Sequence, residues 1–330
     1  MLIRTFKKSF LWIVFLLVPI GLLLWADGFF AFRDLEMGRD SDAPLYALLV
    51  VGLAPYPLIQ IILAFGLVFF QAVLINGAAQ TNNLVGKQTW LPGLMFLVLM
   101  SADPALLSFH PIIPANLLLI LAMIRLMAIL DHKDPTLEVF NLGLLISLAA
   151  LFYVPAFVFL GWLLVVISLY LVASIRSYLS TILGFLTPFF ILGAWWFLTD
   201  RFGNVSELFG RFDLFQVFNT ILFPYTRAFI IVIILLSILA IVRVITGYLP
   251  DKPVRIRNRF GMFFYFLLFS LGSTIFVKDY FDMHLAILML PLSLFISVFL
   301  FELKRKWIAE FLFYVLLGAI ILGKISWTGV

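Results

Sequence analysis

The chain has 330 residues, of which 64% are hydrophobic and 12% are charged, with a net charge of +5 and no cysteine. Soluble domains carry roughly 25% charged residues, so this composition excludes a water-soluble globule. It also excludes disulfides, thiolate catalysis and cysteine-ligated metal centres. The apolar runs are continuous over roughly 15–25 residues, which indicates membrane-spanning helices and not the alternating strands of a β-barrel.

Basic residues precede the first apolar run, since Arg4, Lys7 and Lys8 lie ahead of a helix predicted at about residues 10–26. Basic flanks of a membrane helix stay in the cytoplasm, so we expect the N-terminus inside. The run lacks a small-residue cleavage site, and we therefore interpret it as a retained helix and not as a signal peptide.

A polar segment, residues 27–44, follows this helix and is expected to face outside; we name it the acidic connection. It is the only long polar stretch near the start of the chain. Its charged residues are Asp27, Asp34, Glu36, Asp40 and Asp42, with Arg33 and Arg39.

Prolines and polar turns divide the rest of the chain. Pro55 and Pro57 break the next run because proline lacks an amide donor, which predicts an interfacial or re-entrant piece at residues 45–54 and a second helix at 58–76. A short third helix, residues 90–102, leads into a proline-rich segment. The remaining helices are predicted at about residues 113–130, 137–153, 155–173, 178–198, 225–246, 260–277, 284–301 and 307–324.

The distribution of charge supports this topology. The segments assigned to the inside contain 15 of the 22 Lys and Arg and 6 of the 17 Asp and Glu, whereas the outer segments contain 7 and 11. Residues 199–224 form a predicted outer amphipathic segment, and residues 247–259 a basic inner loop. The sequence therefore predicts an all-α polytopic protein of about 11 spans, a single transmembrane domain over residues 1–330, with the C-terminus outside.

Several local patterns support a resemblance over about residues 1–203. They are FKKSF, NNLVGKQTWLPGLMFLVL, IRLMAI, SLAALFY and GFLTPFFIL, in that order. In order and spacing the chain resembles an uncharacterised family of integral membrane proteins from Bacteroidota, which implies a bacterial inner membrane and no established activity. Some members are labelled carotene-cleaving monooxygenases. Those enzymes hold iron with four histidines, and this chain has three.

The layout of the acidic connection is also similar to the C-type fold of membrane glycosyltransferases that use lipid-linked sugars. That resemblance implies a carboxylate in the first outer loop as general base or metal ligand, for which Asp40 and Asp42 are the candidates. A polyprenyl phosphate needs Arg or a divalent cation, and Arg39 and Arg33 would serve. The expected cofactor is a divalent cation, and the expected partners are membrane lipids, among them a polyprenyl-phosphate lipid.

Other interpretations remain open. The acidic residues are also what a solvated outer loop ordinarily carries, which leaves a non-catalytic membrane subunit or scaffold of an envelope or secretion complex, with a membrane protein as partner. A second polar group could hold a metal or transfer protons, or only cap helix ends; it comprises Asp103, His110, Asp279, Asp282 and His284. The basic residues of 252–259 and 304–306 could hold anionic headgroups or only set the topology. A transporter is less favoured, because no Asp or Glu lies in the middle of a predicted span.

Overall fold

A computed structural model describes residues 2–7, 12–30, 43–86, 88–130, 135–171, 174–200, 228–277 and 281–328, the side chains of 281–282 and 325–328 excepted. Within these ranges the chain is almost entirely helical and has no strand. The predicted all-α polytopic class is confirmed, since seven of the described helices are long and apolar enough to cross a membrane.

The helices follow the predicted order closely. In chain order they are α1 Leu2–Phe6, α2 Ile13–Leu24, α3 Ala26–Phe30, α4 Pro44–Leu53, α5 Pro57–Thr81, α6 Leu91–Met100, α7 Ile112–Ile129, α8 Thr136–Phe152, α9 Phe159–Tyr170, α10 Ile175–Leu198, α11 Ala228–Arg243, α12 Val254–Ser273, α13 Phe281–Glu302 and α14 Lys306–Thr328.

Contacts at the helix termini define two ends of the bundle. At the N-terminal end, the Trp90 amide donates to the Phe6 carbonyl (2.9 Å) and Lys7 Nζ donates to the Phe301 carbonyl (3.0 Å). At the far end, Trp25 Nε1 donates to Ser101 Oγ (3.0 Å). Since α2 reaches the far end and α5 leaves from it, the 10-residue α4 does not cross.

The centre of the bundle is formed by α6 and α13, which pack against each other. Every residue of α6 is buried, and 89% of the most apolar stretch of α13 is buried inside the protein. By contrast, the most apolar stretches of α10, α14 and α11 are 17%, 28% and 33% buried, so these helices lie at the periphery.

Small residues join α8 to α10, which run parallel and contact each other directly, and α9 connects them in the chain. A side chain at Gly184 would overlap the Phe140 carbonyl oxygen, and one at Gly143 would lie 2.9 Å from the Phe185 nitrogen. Ser180 Oγ donates to the Thr136 carbonyl (2.7 Å) at the start of the same contact. Membrane helices approach this closely where small residues leave room for the backbones.

The basic inner segment differs in part from the predicted loop at residues 247–259. Helix α12 begins at Val254, directly after Pro253, which is preorganised for a helix start, so the arginines of this segment lie on a helix. Arg259 is 4% exposed, and its guanidinium donates to the carbonyls of Asn82 (3.3 Å) and Met127 (3.5 Å). Its role is therefore to connect buried helix ends and not to remain in a solvated loop.

Candidate functional site

The connection between α6 and α7, residues 101–111, is the largest buried stretch of non-α backbone in the described part of the chain; we name it the buried connection. Helix α6 has 10 residues and rises only about 15 Å, half of the ~30 Å of a bilayer core. The chain then continues through a 3₁₀ turn at Pro104–Leu107, with most of its residues buried. Irregular backbone at such depth is tolerated where it is enclosed by protein or lines a cavity.

Both ends of the acidic connection contact the buried connection. On the α3 side, an added Cβ at Gly28 would lie 2.8 Å from the Leu107 carbonyl oxygen. On the α4 side, Tyr46 Oη donates to the Phe109 carbonyl (3.2 Å), and the Tyr46 and Phe109 rings stack with centroids 6.0 Å apart. The acidic connection therefore starts and finishes at the far end of the bundle.

A buried cation lies where the acidic connection begins. Lys324, on α14, donates to the Leu24 carbonyl at the end of α2, and its Nζ lies 4.0 Å from Asp27 Oδ2. A cation at a helix C-terminus meets the negative end of the helix dipole, which stabilises the charge. Lys324 is 8% exposed, so a largely buried ammonium group joins α14 to the end of α2.

The buried connection contains two ionisable side chains. Asp103 is 2% exposed, and its Oδ1 accepts from the Ala105 amide (2.8 Å) at the start of the 3₁₀ turn. His110 is 1% exposed, and neither ring nitrogen has a hydrogen-bond partner among the described residues.

His284 forms a closed hydrogen-bond network between α8, α12 and α13. Its Nδ1 lies 2.8 Å from Tyr153 Oη, and its Nε2 lies 3.0 Å from Ser273 Oγ. The Ser273 hydroxyl donates its proton to the Ser270 carbonyl (2.8 Å), so Ser273 Oγ must accept from Nε2. That assignment leaves Nδ1 to accept from Tyr153. Both nitrogens are thus engaged, and His284 is a structural connector in this conformation.

A second polar contact links α5, α7 and α13. Gln71 Nε2 donates to the Ile113 carbonyl (2.9 Å), and Asn116 Nδ2 lies 3.5 Å from both Gln71 Oε1 and the Ala286 carbonyl. All three elements start or pass near the far end. The amide nitrogens of Gln71 and Asn116 are thereby engaged, whereas Asn116 Oδ1 has no hydrogen-bond partner among the described residues.

The sequence-predicted site residues divide into two sets. Asp40, Asp42, Arg39 and Arg33 lie outside the described residues, as does Asp279. In the polar group that the sequence indicated could hold a metal or transfer protons, Asp103 and His110 lie in the buried connection, whereas His284 lies in a separate hydrogen-bond network. No cluster of three or more His, Asp or Glu side chains that could hold a metal occurs in the parts of the chain that are described.

Sequence reasoning missed that residues 101–111 are buried and that they contact Gly28 and Tyr46. The one signal was the shortness of α6 before a proline-rich segment. Comparison of the chain with protein-family models, curated proteins and solved structures finds no match. The site must therefore be interpreted from its own geometry.

Proposed function

We propose that this chain is a multi-pass protein of a bacterial inner membrane that transfers a sugar from a polyprenyl-phosphate donor to a hydroxyl acceptor. The site would lie at the far end of the bundle, on the outer face. The observation that carries the proposal is that both ends of the acidic connection contact the buried connection, through Gly28 and Tyr46. The chain therefore enters and leaves this carboxylate-rich segment at the same end of the bundle.

The proposed chemistry needs few groups. Asp40 or Asp42 takes the proton of the acceptor hydroxyl, whose oxygen then bonds to the anomeric carbon of the sugar. The bond from that carbon to the phosphate oxygen breaks, and the polyprenyl phosphate leaves with the electron pair. Arg39 and Arg33 bind the phosphate, and a divalent cation is the cofactor that would neutralise its charge.

Asp40→Asn and Asp42→Asn test this proposal most directly. We expect one of the two to reduce sugar transfer in purified membranes by about 10²–10⁴-fold, the usual contribution of a general base. Transfer from a radiolabelled polyprenyl-phosphate sugar to the acceptor is the measurement. Glu36→Gln is the matched control, since it removes a carboxylate from the same segment. Unchanged transfer in the Asp40→Asn, Asp42→Asn double variant would refute the assignment.

A non-catalytic membrane subunit is the second candidate, and the surroundings of α10 favour it. This 24-residue helix packs mainly against α8, with a smaller contact to α9, and most of its apolar surface is exposed. A partner helix from an envelope complex could pack there. Cross-linking from Phe190, which is 78% exposed, in native membranes separates the two proposals. A stoichiometric protein adduct supports a subunit, whereas lipid adducts alone support an independent enzyme.

A further inference from the structure

A charged cavity of about 510 Å³ opens at the N-terminal end of the bundle, far from the acidic connection. It lies between the end of α11, the turn that precedes α12, the end of α13 and the start of α14. Its volume is in the range of ordinary ligand sites. Since α11 and α14 are peripheral, the cavity borders the surface that faces the lipid.

The lining of the cavity is amphiphilic and carries an excess of one positive charge. Arg243, Lys304 and Arg305 supply the cations, and Asp251 and Glu302 the carboxylates. All five are exposed, whereas the adjoining wall is apolar and includes Val244, Val298 and Phe299. This combination suits an amphiphile with one net negative charge, and the two carboxylates disfavour groups that carry several.

One wall of the cavity is a π-helical turn, Val244–Tyr248, which continues α11. Such turns are rare and occur frequently at functional sites. The guanidinium of Arg243 lies across this turn, with its Cζ 3.6 Å from where a Cβ of Gly247 would be. The arginine side chain therefore lies close against the backbone of the turn at Gly247.

Contacts from outside the cavity hold this wall in place. Tyr248 Oη donates to the Leu84 carbonyl (2.7 Å), and Lys252 Nζ lies 4.3 Å from the Tyr248 ring centroid. The Phe260 ring meets the same tyrosine edge-on, with centroids 6.0 Å apart. A site that is rigid before the ligand arrives spends less free energy on ordering when it binds.

We propose that this cavity binds a phosphate diester, with Arg243 and Arg305 as the phosphate ligands. Planar guanidinium groups bind phosphate oxygens in a bidentate manner, for which lysine is a poor substitute. Asp251 and Glu302 accept hydrogen bonds from the hydroxyl or ammonium group of the same headgroup. The apolar wall contacts the first carbons beyond the phosphate. Basic pockets between membrane helices bind anionic lipid headgroups in this way.

The double variant Arg243→Gln, Arg305→Gln tests the site in the full chain, purified in detergent. The probes are short-chain phosphatidylglycerol, short-chain phosphatidylcholine and inorganic phosphate, with bound copies counted by native mass spectrometry. We expect the double variant to bind phosphatidylglycerol at least about tenfold more weakly, since each charge-assisted hydrogen bond is worth that much. The matched control is Arg257→Gln, Lys306→Gln, which removes the same charge from the same end and leaves the lining intact.

The three probes distinguish the source of the phosphate. Tight binding of phosphatidylglycerol with weak binding of the other two assigns a lipid headgroup. Equal binding of inorganic phosphate assigns a soluble phosphate compound at the same residues. The proposal is overturned if no probe binds, or if both double variants lose binding equally, because nonspecific surface charge would then explain it. Arg243→Lys, Arg305→Lys keeps the charge and the fold, and it should still bind several-fold more weakly than the native protein.

Discussion

Gly184→Ala should separate α8 from α10 and destabilise the protein by about 2–3 kcal/mol. The added methyl group would overlap the Phe140 carbonyl oxygen, and neither helix backbone can give way without loss of the neighbouring contacts. Overpacking of this kind costs about 1–3 kcal/mol, and a backbone obstacle places the effect at the upper end. Thermal unfolding of the purified protein in detergent, followed by intrinsic fluorescence, measures the change.

The same helix supplies the control. Gly193 also lies on α10, but nothing is within 4 Å of an added Cβ there. Gly193→Ala should therefore leave the midpoint unchanged or raise it slightly, since alanine favours the helix over glycine. Equal unfolding temperatures for the two variants would contradict the close contact between the backbones of α8 and α10.

His284→Phe should destabilise the protein by roughly 2–5 kcal/mol. Phenylalanine fills the space but leaves Tyr153 Oη without its acceptor and Ser273 Oγ without its donor. Each buried polar group that loses its partner costs about 1–3 kcal/mol. The unfolding free energy in denaturant, measured at neutral pH, gives the loss.

A double-mutant cycle identifies the cause of that loss. Tyr153→Phe removes one of the groups that His284→Phe leaves without its partner, so the double variant should cost less than the sum of the single variants. His110→Phe is the second reference, because no described residue hydrogen-bonds its ring, and it should cost little at neutral pH. Additive losses at Tyr153 and His284 would contradict the network.

Much of the helix layout could be predicted from apolar run lengths and prolines. Pro55 and Pro57 predicted the break between α4 and α5, and the structure shows α5 starting at Pro57. Gln60 Nε2 donates to the Leu53 carbonyl (2.6 Å) at the end of α4, which compensates the break. The start of α12 was predicted six residues late, because arginines were assigned to a loop although a membrane helix can carry them in its first turns.

Which polar side chains lie next to one another was less predictable from the sequence. His284 was expected to belong with other ionisable groups at a helix end, yet its ring bonds to Tyr153, more than a hundred residues earlier in the chain. Likewise, the sequence places Arg243 near the end of an apolar run and does not relate it to Arg305. The two arginines line the same cavity because α11 packs beside α13 and α14. Such pairs leave no local signal, since their spacing in sequence follows from the fold.

The sequence by itself determined that this protein folds in a membrane, and it located the long helices with boundaries that are correct to within about six residues. These properties depend on short-range terms, namely the apolar length needed to cross a bilayer and the loss of a backbone donor at proline. Only the tertiary structure decided that α6 and α13 are central, that residues 101–111 are buried, and which polar groups pair there. The apolar runs present hydrophobic side chains on all sides, so the face of each helix that meets protein or lipid is set by close packing of small residues and by buried hydrogen bonds.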